Sequence, residues 1–239
     1  MDKNSISSHK AALVTGASSG IGLSVACLLS DMGYDVTGIG RHFEGSFPFN
    51  TIECDITDTD KLIAAADSLD DVQVLVNCAG VGFYGLHENI DIEDIKLMTR
   101  TNLEAPMILT GFFLPKFKRQ GAGTIINISS VTAFKTNTYG AAYGALKAGL
   151  SSFSASVFEE ARKHGIKVIE ICPDMTDTNL YRNADFTADE DPWCHLEPQD
   201  IADAVKAALD MSLYSCVTRL TIVPQKMRIK RRDNNESKS

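Results

Sequence analysis

Tyr143 and Lys147 stand four residues apart in a stretch whose pattern predicts a helix over 140–164, so both side chains lie on one face. A phenol is a poor acid or base near neutrality, with an unperturbed pKa of about 10. An ammonium beside it favours the phenolate and makes proton exchange with a substrate oxygen feasible. Ser129 and Ser130 close a predicted strand over 123–129. The end of a parallel strand is where such sheets bind ligands, and a hydroxyl there can orient a carbonyl. Y-x-x-x-K alone is equally an ordinary helix surface pair; its weight comes from the combination.

A second constellation is nearer the start. The strand predicted over 11–15 runs into Thr15-Gly16-Ala17-Ser18-Ser19-Gly20-Ile21-Gly22, where a helix begins. Glycines let the chain turn sharply and let backbone N–H groups approach a pyrophosphate, whose charge also suits a helix N-terminus. The spacing is G-x-x-x-G-x-G rather than G-x-G-x-x-G. The strand over 35–39 ends at Gly40-Arg41, where an acid would take a ribose 2′-hydroxyl and an arginine suits a 2′-phosphate. Arg41 therefore favours NADP(H) over NAD(H), with Glu44 the nearest acid.

These residues need elements to position them. Further strands are expected over 51–54, 72–77, 167–172 and 218–223. Helices are expected over 21–32, from Asp58 or Thr59 to Leu69, over 91–103 and 104–119, and from Pro198 to about Met211. Strands alternating with helices through the chain predict an α/β fold, a parallel sheet of seven strands with helices on both faces. The 239 residues read as one catalytic domain over 10–224, with 1–9 a flexible N-terminus. Residues 174–197 read as a long loop of the kind that forms a substrate lid. The tail from Gln225, residues 225–239, is polar and basic; it reads as disordered, at least past Arg232, and as a solubilising end rather than a segment docked on an acidic surface.

The net charge of −8 argues against a nucleic-acid-binding surface. That charge is uneven: Lys226, Arg228, Lys230, Arg231, Arg232 and Lys238 outweigh Asp233 and Glu236 after Pro224. No apolar run suits a membrane span, and MDKNSISSHK lacks the apolar stretch of a signal peptide, so a cytoplasmic protein is expected. Cys27, Cys54, Cys78, Cys172, Cys194 and Cys216 form no C-x-x-C pair, which argues for free thiols and against a metal site.

TGASSGIG at 15–22, NCAG at 77–80, Asn102, Ser130 and YGALK at 143–147 together resemble the compact branch of the short-chain dehydrogenase/reductase family, over about residues 10–224. The resemblance implies a Rossmann-like doubly wound sheet, a nicotinamide cofactor, and hydride transfer between cofactor and a carbonyl or alcohol. It makes Tyr143 the general acid or base, and Lys147 the group that lowers its pKa and holds the nicotinamide ribose. Ser130, thirteen residues before Tyr143, is chosen over Ser129 to orient the carbonyl, and Asn102 would hold a water that resupplies the proton. Gly16, Ser18, Ser19, Gly20, Ile21 and Gly22 would cradle the cofactor's phosphates. Asp55 and Ile56 would contact the adenine, Asn77, Ala79 and Gly80 would line the cofactor's central section, and Pro173, Thr176 and Thr178 would lie by the nicotinamide. Two departures stand out: Cys78 replaces a second asparagine, and Pro173-Asp174 replaces Pro-Gly, which would let the lid enter at a different angle.

The leading expectation is an NADPH-dependent carbonyl reductase. Substrate contacts are expected from Ser130, Phe83, Tyr84, Phe134, Asn137, Met175, Tyr181, Phe186 and Trp193, though each would serve equally as core packing. Reduction of a 3-oxoacyl group on an acidic carrier protein is the enzymatic alternative. Repulsion by Asp174, Asp177, Asp185, Asp189, Glu190 and Asp191 in the lid weighs against it. A non-catalytic NADP-binding scaffold is the alternative of another class. A homo-oligomer is expected through the helices after the fourth and fifth strands, where Ala141, Ala142, Ala145, Ala148 and Gly149 permit close packing.

Overall fold

In a computed structural model of the protein, residues 10–231 are described. The expectations for 1–9 and for the chain beyond Arg231 lie outside them. Seven parallel strands form the sheet: β1 (Ala11–Thr15), β2 (Asp35–Gly40), β3 (Asn50–Glu53), β4 (Val72–Asn77), β5 (Gly123–Ile128), β6 (Ile166–Pro173) and, last in the sheet, β8 (Arg219–Ile222). Their order is β3-β2-β1-β4-β5-β6-β8, so the order reverses between β1 and β4. That reversal opens a crevice at the strands' carboxyl ends.

Each strand serves two cores, because successive side chains point to opposite faces. Ala12, Val14, Val74, Val76, Ile126, Ile128, Ile169 and Ile171 pack under α1 (Gly20–Asp31) and α6 (Pro198–Leu209). Leu13, Leu75, Ile125 and Val168 pack on the other face, under α2 (Thr59–Asp67), α4 (Ala105–Gln120) and α5 (Ala141–Ala161). Phe113 and Phe117 of α4 are fully buried there and are its main anchors. The helix stops at Gly121, whose φ of 68° is left-handed. Among the described residues no helix is long and apolar enough to cross a membrane.

Three local departures matter for the site. First, the two helices expected over 91–103 and 104–119 form one rod: α3 (Ile92–Thr99) passes through a π-helical turn, Arg100–Glu104, into α4. Such turns concentrate at functional sites. Second, the lid is not wholly a loop. Phe186–Ala188 forms a strand, β7, which pairs antiparallel with β9 (Ile229–Arg231). Third, the expectation of a disordered tail is therefore corrected for residues 226–231, which dock on the lid.

Candidate active site

The Gly-rich turn is shaped by contacts that only glycine permits. Gly16 has φ +72°, and a Cβ there would lie 2.7 Å from Ala79 Cα. A Cβ on Gly22 would lie 2.2 Å from the Gly16 carbonyl oxygen. The turn thus folds tightly against the end of β4, where the Thr15 hydroxyl accepts from both Cys78 N–H and Ala79 N–H at 3.1 Å. Ser19 precedes α1 without a side-chain cap, and the first turn holds no acid. The amino end of α1 therefore offers open N–H groups and an unneutralised positive dipole end to an anion.

A cleft runs from this turn along the switch point to Tyr143. It encloses about 1300 Å³, open mouth included. Its course from the Gly-rich turn to Tyr143 suits an extended ligand. Gly16, Ser18, Ser19, Gly20, Ile21, Gly22, Arg41, Asp55, Ile56, Ala79, Gly80, Pro173, Thr176 and Thr178 all line it, as do Ser130, Tyr143, Lys147 and Tyr181. Glu44, the acid nearest to Arg41 in sequence, lies 3.5 Å from His42. Thr178 closes toward the Gly-rich turn, its Cγ2 3.2 Å from where a Gly20 Cβ would stand.

Asn77, expected by the cofactor's central section, is not among the residues lining the cleft. It is the last residue of β4, and its side chain points into the sheet, where Nδ2 donates to Asn127 Oδ1 at 2.8 Å. Asn127 in turn donates to Ser154 Oγ of α5 at 2.8 Å. Asn102 is also committed structurally. Its amide donates to the carbonyls of Val81 (2.8 Å) and Met98 (2.9 Å), and its Oδ1 accepts from Val81 N–H at 3.3 Å. The side chain thus clamps the chain leaving β4 against the π-turn, and its N–H groups are not free to hold a water.

At the closed end, Tyr143 is 4% exposed and Lys147 likewise 4%. Burial pushes the Tyr143 phenol well above its ordinary pKa, a hydrogen bond with Ser130 opposing it only partly. Burial pushes Lys147 down to about 8. Its ammonium donates to the Ile128 carbonyl at 2.9 Å and lies 5.6 Å from the centre of the Tyr143 ring. Cys78, the residue in place of an asparagine, lines the cleft with its thiol pushed by burial up to about 12, so it is no nucleophile near neutrality. This end offers a neutral phenol in a dry pocket, with a hydroxyl beside it to fix an acceptor.

The expected substrate residues divide. The Tyr84 ring is 5.6 Å from Tyr143, 5.8 Å from Tyr181 and 5.2 Å from Phe186; Tyr143 and Tyr181 line the cleft, and Tyr84 and Phe186 back them as an aromatic cluster. Phe83 packs with Val81 and Met98. Trp193 does not reach the cleft. It is 57% exposed, turned outward by a turn in which Asp191 Oδ1 accepts its N–H. Phe134 is 49% exposed under the Arg219 guanidinium. Asn137 uses its Oδ1 on Tyr139 N–H in its own loop, and Met175 is not among the lining residues. Sequence reasoning missed Leu97, Thr101, Asn179 and Leu180, which line the cleft without a distinctive residue type.

Asp174 replaces a glycine without strain. Among described non-glycine residues only Asp71 has positive φ. Asp174 N–H donates to the Ile222 carbonyl and its carboxylate pairs with Lys135 at 3.3 Å. The lid's acidity is also offset locally: Asp189 and Asp191 pair with Arg228, and Glu190 with Lys230. The electrostatic objection to an acidic carrier protein is weakened accordingly.

A sequence model of the short chain dehydrogenase family matches residues 10–188. An uncharacterized oxidoreductase of Staphylococcus epidermidis is 32% identical over 228 residues, covering 90% of this chain and 97% of that protein. A short-chain dehydrogenase from Streptomyces avermitilis superposes with a TM-score of 0.79 at 28% identity, covering 91% of this chain and 89% of that one. Another, from Sphingobium yanoikuyae in complex with NADPH, gives 0.78 at 27% identity over 88% of this chain and 87% of that one.

Proposed function

The chain belongs to the short-chain dehydrogenase family and is an NAD(P)-dependent oxidoreductase; on that premise we propose that it reduces a ketone or aldehyde with NADPH, reversibly oxidising the alcohol. The observation that carries this reading is the buried, neutral phenol of Tyr143 hydrogen-bonded to Ser130 at the closed end of the cleft. Burial keeps the phenol in the protonated form from which a general acid donates.

The residues fit the dinucleotide. The cradle that a Cβ on Gly16 or Gly22 would fill, and the uncapped amino end of α1, suit a pyrophosphate. Ser18, Ser19, Gly20 and Ile21 would hold it, Arg41 the 2′-phosphate, Asp55 and Ile56 the adenine, and Ala79, Gly80, Pro173, Thr176 and Thr178 the remainder. When bound, the cofactor supplies the hydride. Ser130 orients the carbonyl oxygen toward Tyr143 Oη, Tyr143 gives that oxygen its proton, and the Tyr84, Tyr181 and Phe186 rings exclude water. Lys147, cationic below about pH 8, stabilises the phenolate left behind.

Titration with NADPH and, separately, NADH, followed by nicotinamide fluorescence, tests the cofactor reading. NADPH binds more tightly, and Arg41→Ala weakens NADPH about 10–100-fold, the worth of one or two charge-assisted hydrogen bonds, while NADH changes less than about threefold. Equal losses remove Arg41 from the 2′-phosphate. A panel of ketones that includes a 3-oxoacyl thioester then defines the substrate class, with Tyr143→Phe as control. That change lowers turnover by about 10²–10⁴-fold and leaves NADPH affinity unchanged; retained activity refutes the acid role, and binding of neither cofactor points to a non-catalytic scaffold. A homo-oligomer through α4 and α5 is part of the same proposal. Ala141, Ala145 and Met107 are exposed rather than packed on the protein's own sheet, and light scattering decides it.

A further inference from the structure

The acidic lid and the basic tail, read separately in the sequence, meet in the fold. Arg228 grips Asp189 with two bonds, Nε to Oδ2 at 2.7 Å and Nη2 to Oδ1 at 2.9 Å, and its Nη2 also lies 3.4 Å from Asp191. Lys230 pairs with Glu190 at 2.6 Å and Lys226 with Asp191 at 3.4 Å. Three backbone register pairs join the same segments, Phe186 with Arg231, Thr187 with Lys230 and Ala188 with Ile229. Lys226 N–H donates to the Trp193 carbonyl at 2.8 Å, and its ammonium stands 5.6 Å from the indole centre. Isolated surface ion pairs contribute little, but a bidentate arginine in a network is the exception. Here the carboxylates of Asp189 and Asp191 are only 17% and 25% exposed.

The strap leads to the chemistry. Its partner strand β7 begins with Phe186, whose ring meets Tyr84 at 5.2 Å and Tyr181 at 5.5 Å, and Tyr84 meets Tyr143 at 5.6 Å. A three-residue strand such as β7 cannot hold a fixed position alone, since a lone two-stranded pair is marginal in water. We propose that residues 226–231 are a strap that holds the lid, with Arg228 the positioning residue that fixes the aromatic cluster backing Tyr181 and Tyr143 of the cleft. The docking part stands on the ion pairs and the backbone pairing of the two segments; the effect on substrate rests on the reductase reading above.

Trp193 is the protein's only tryptophan, so its fluorescence reports docking without any activity. The comparison is between the full chain, a chain ending at Gln225, Arg228→Ala, Arg228→Lys and the swap Asp189→Arg with Arg228→Asp. In the full chain, acrylamide quenching of Trp193 rises about twofold between low salt and 1 M NaCl, where the Debye length falls to about 3 Å. The shortened chain is quenched to the high value at every salt, and trypsin cuts after Arg182 in its lid about tenfold faster. With a ketone substrate, Arg228→Ala and the shortened chain raise KM about 5–20-fold with kcat and NADPH affinity within about threefold. Arg228→Lys recovers part and the swap most of the loss. Identical, salt-insensitive quenching in the full and shortened chains overturns the strap. Altered quenching with unchanged lid cleavage overturns Arg228 as a positioning residue, whether or not any ketone turns over; so does an unchanged KM.

Discussion

Lys147→Met separates the energetic cost of the active-site lysine from its use. The wild-type ammonium is buried and donates to the Ile128 carbonyl at 2.9 Å. Burial lowers its pKa from 10.5 to about 8, so carrying the charge in the fold costs roughly 3 kcal/mol. The sign follows from proton counts. The folded protein releases this proton near pH 8 while the unfolded chain keeps it to about pH 10.4. Between those values the unfolded state binds more protons, so stability rises with pH. For the wild type this one group adds about 2 kcal/mol between pH 7 and 9.5, and below pH 8 the full penalty is present. Methionine removes the penalty but leaves the Ile128 carbonyl without its donor, at about 1–3 kcal/mol. The variant is therefore as stable as the wild type at pH 7, or up to about 2 kcal/mol more so. It loses about 2 kcal/mol relative to the wild type by pH 9.5. Urea unfolding of both proteins across pH 7–9.5 reads this difference directly. A difference that does not change with pH refutes the claim that Lys147 is held in the fold at a depressed pKa.

Three further substitutions test the framework around the site. Gly22→Ala places a Cβ 2.2 Å from the Gly16 carbonyl oxygen; the turn must open, and NADPH titration shows at least about a tenfold loss with a lowered Tm, the size of a steric defect of about 2 kcal/mol. Arg219→Ala strips the counter-charge from Glu170, which is 2% exposed and bonded at 2.7 Å. It destabilises by roughly 2–3 kcal/mol in urea, because an unpaired buried carboxylate is left, and adding Glu170→Gln recovers most of the loss. Ser154→Ala removes the acceptor for Asn127 Nδ2 and costs about 1–3 kcal/mol, with no change of slope between pH 7 and 9.5.

The sheet is legible because its five inner strands are largely buried, and the clearest of them read as dense apolar runs: VQVLVN gives β4 to the residue, and GTIINIS gives β5 with one residue to spare. The Gly-rich turn is legible because its backbone tolerates no Cβ at Gly16 or Gly22. The strands β7 and β9 are not. Each has three residues, β9 holds Ile229 as its one apolar side chain, and their partnership spans about forty residues of chain. Local pattern carries no information at that distance, and opposite charges far apart in sequence look like two solvated surfaces. Asn77 falls outside the cleft lining because NCAG straddles a strand end. The residue inside β4 points into the sheet while Ala79 and Gly80, past its end, face the cleft. Proximity to a strand end likewise could not separate Tyr84, which faces Tyr143, from Trp193, which a turn at Asp191 directs outward.

One face of α5 explains why chemistry and stability meet where they do. Its buried residues are Tyr143, Lys147, Leu150, Ser151, Ser154, Val157 and Ala161. The carboxyl-terminal part of that row is apolar and packs on the sheet. Toward the cleft the row turns polar, and partners differ in kind. Ser154 donates to the Leu150 carbonyl and accepts from Asn127, and Ser151 donates to Glu170, so these hydroxyls are satisfied as in any well-made core. Tyr143 and Lys147 are buried just as deeply, yet burial works against the charged form of both, raising one pKa and lowering the other. A fold selected for stability alone would put apolar side chains at these two positions, as it does at Leu150 and Val157. That the same helical face carries satisfied polar groups in its middle and opposed titratable groups at its cleft end is a physical reason, independent of motif, to place proton transfer at Tyr143 and Lys147.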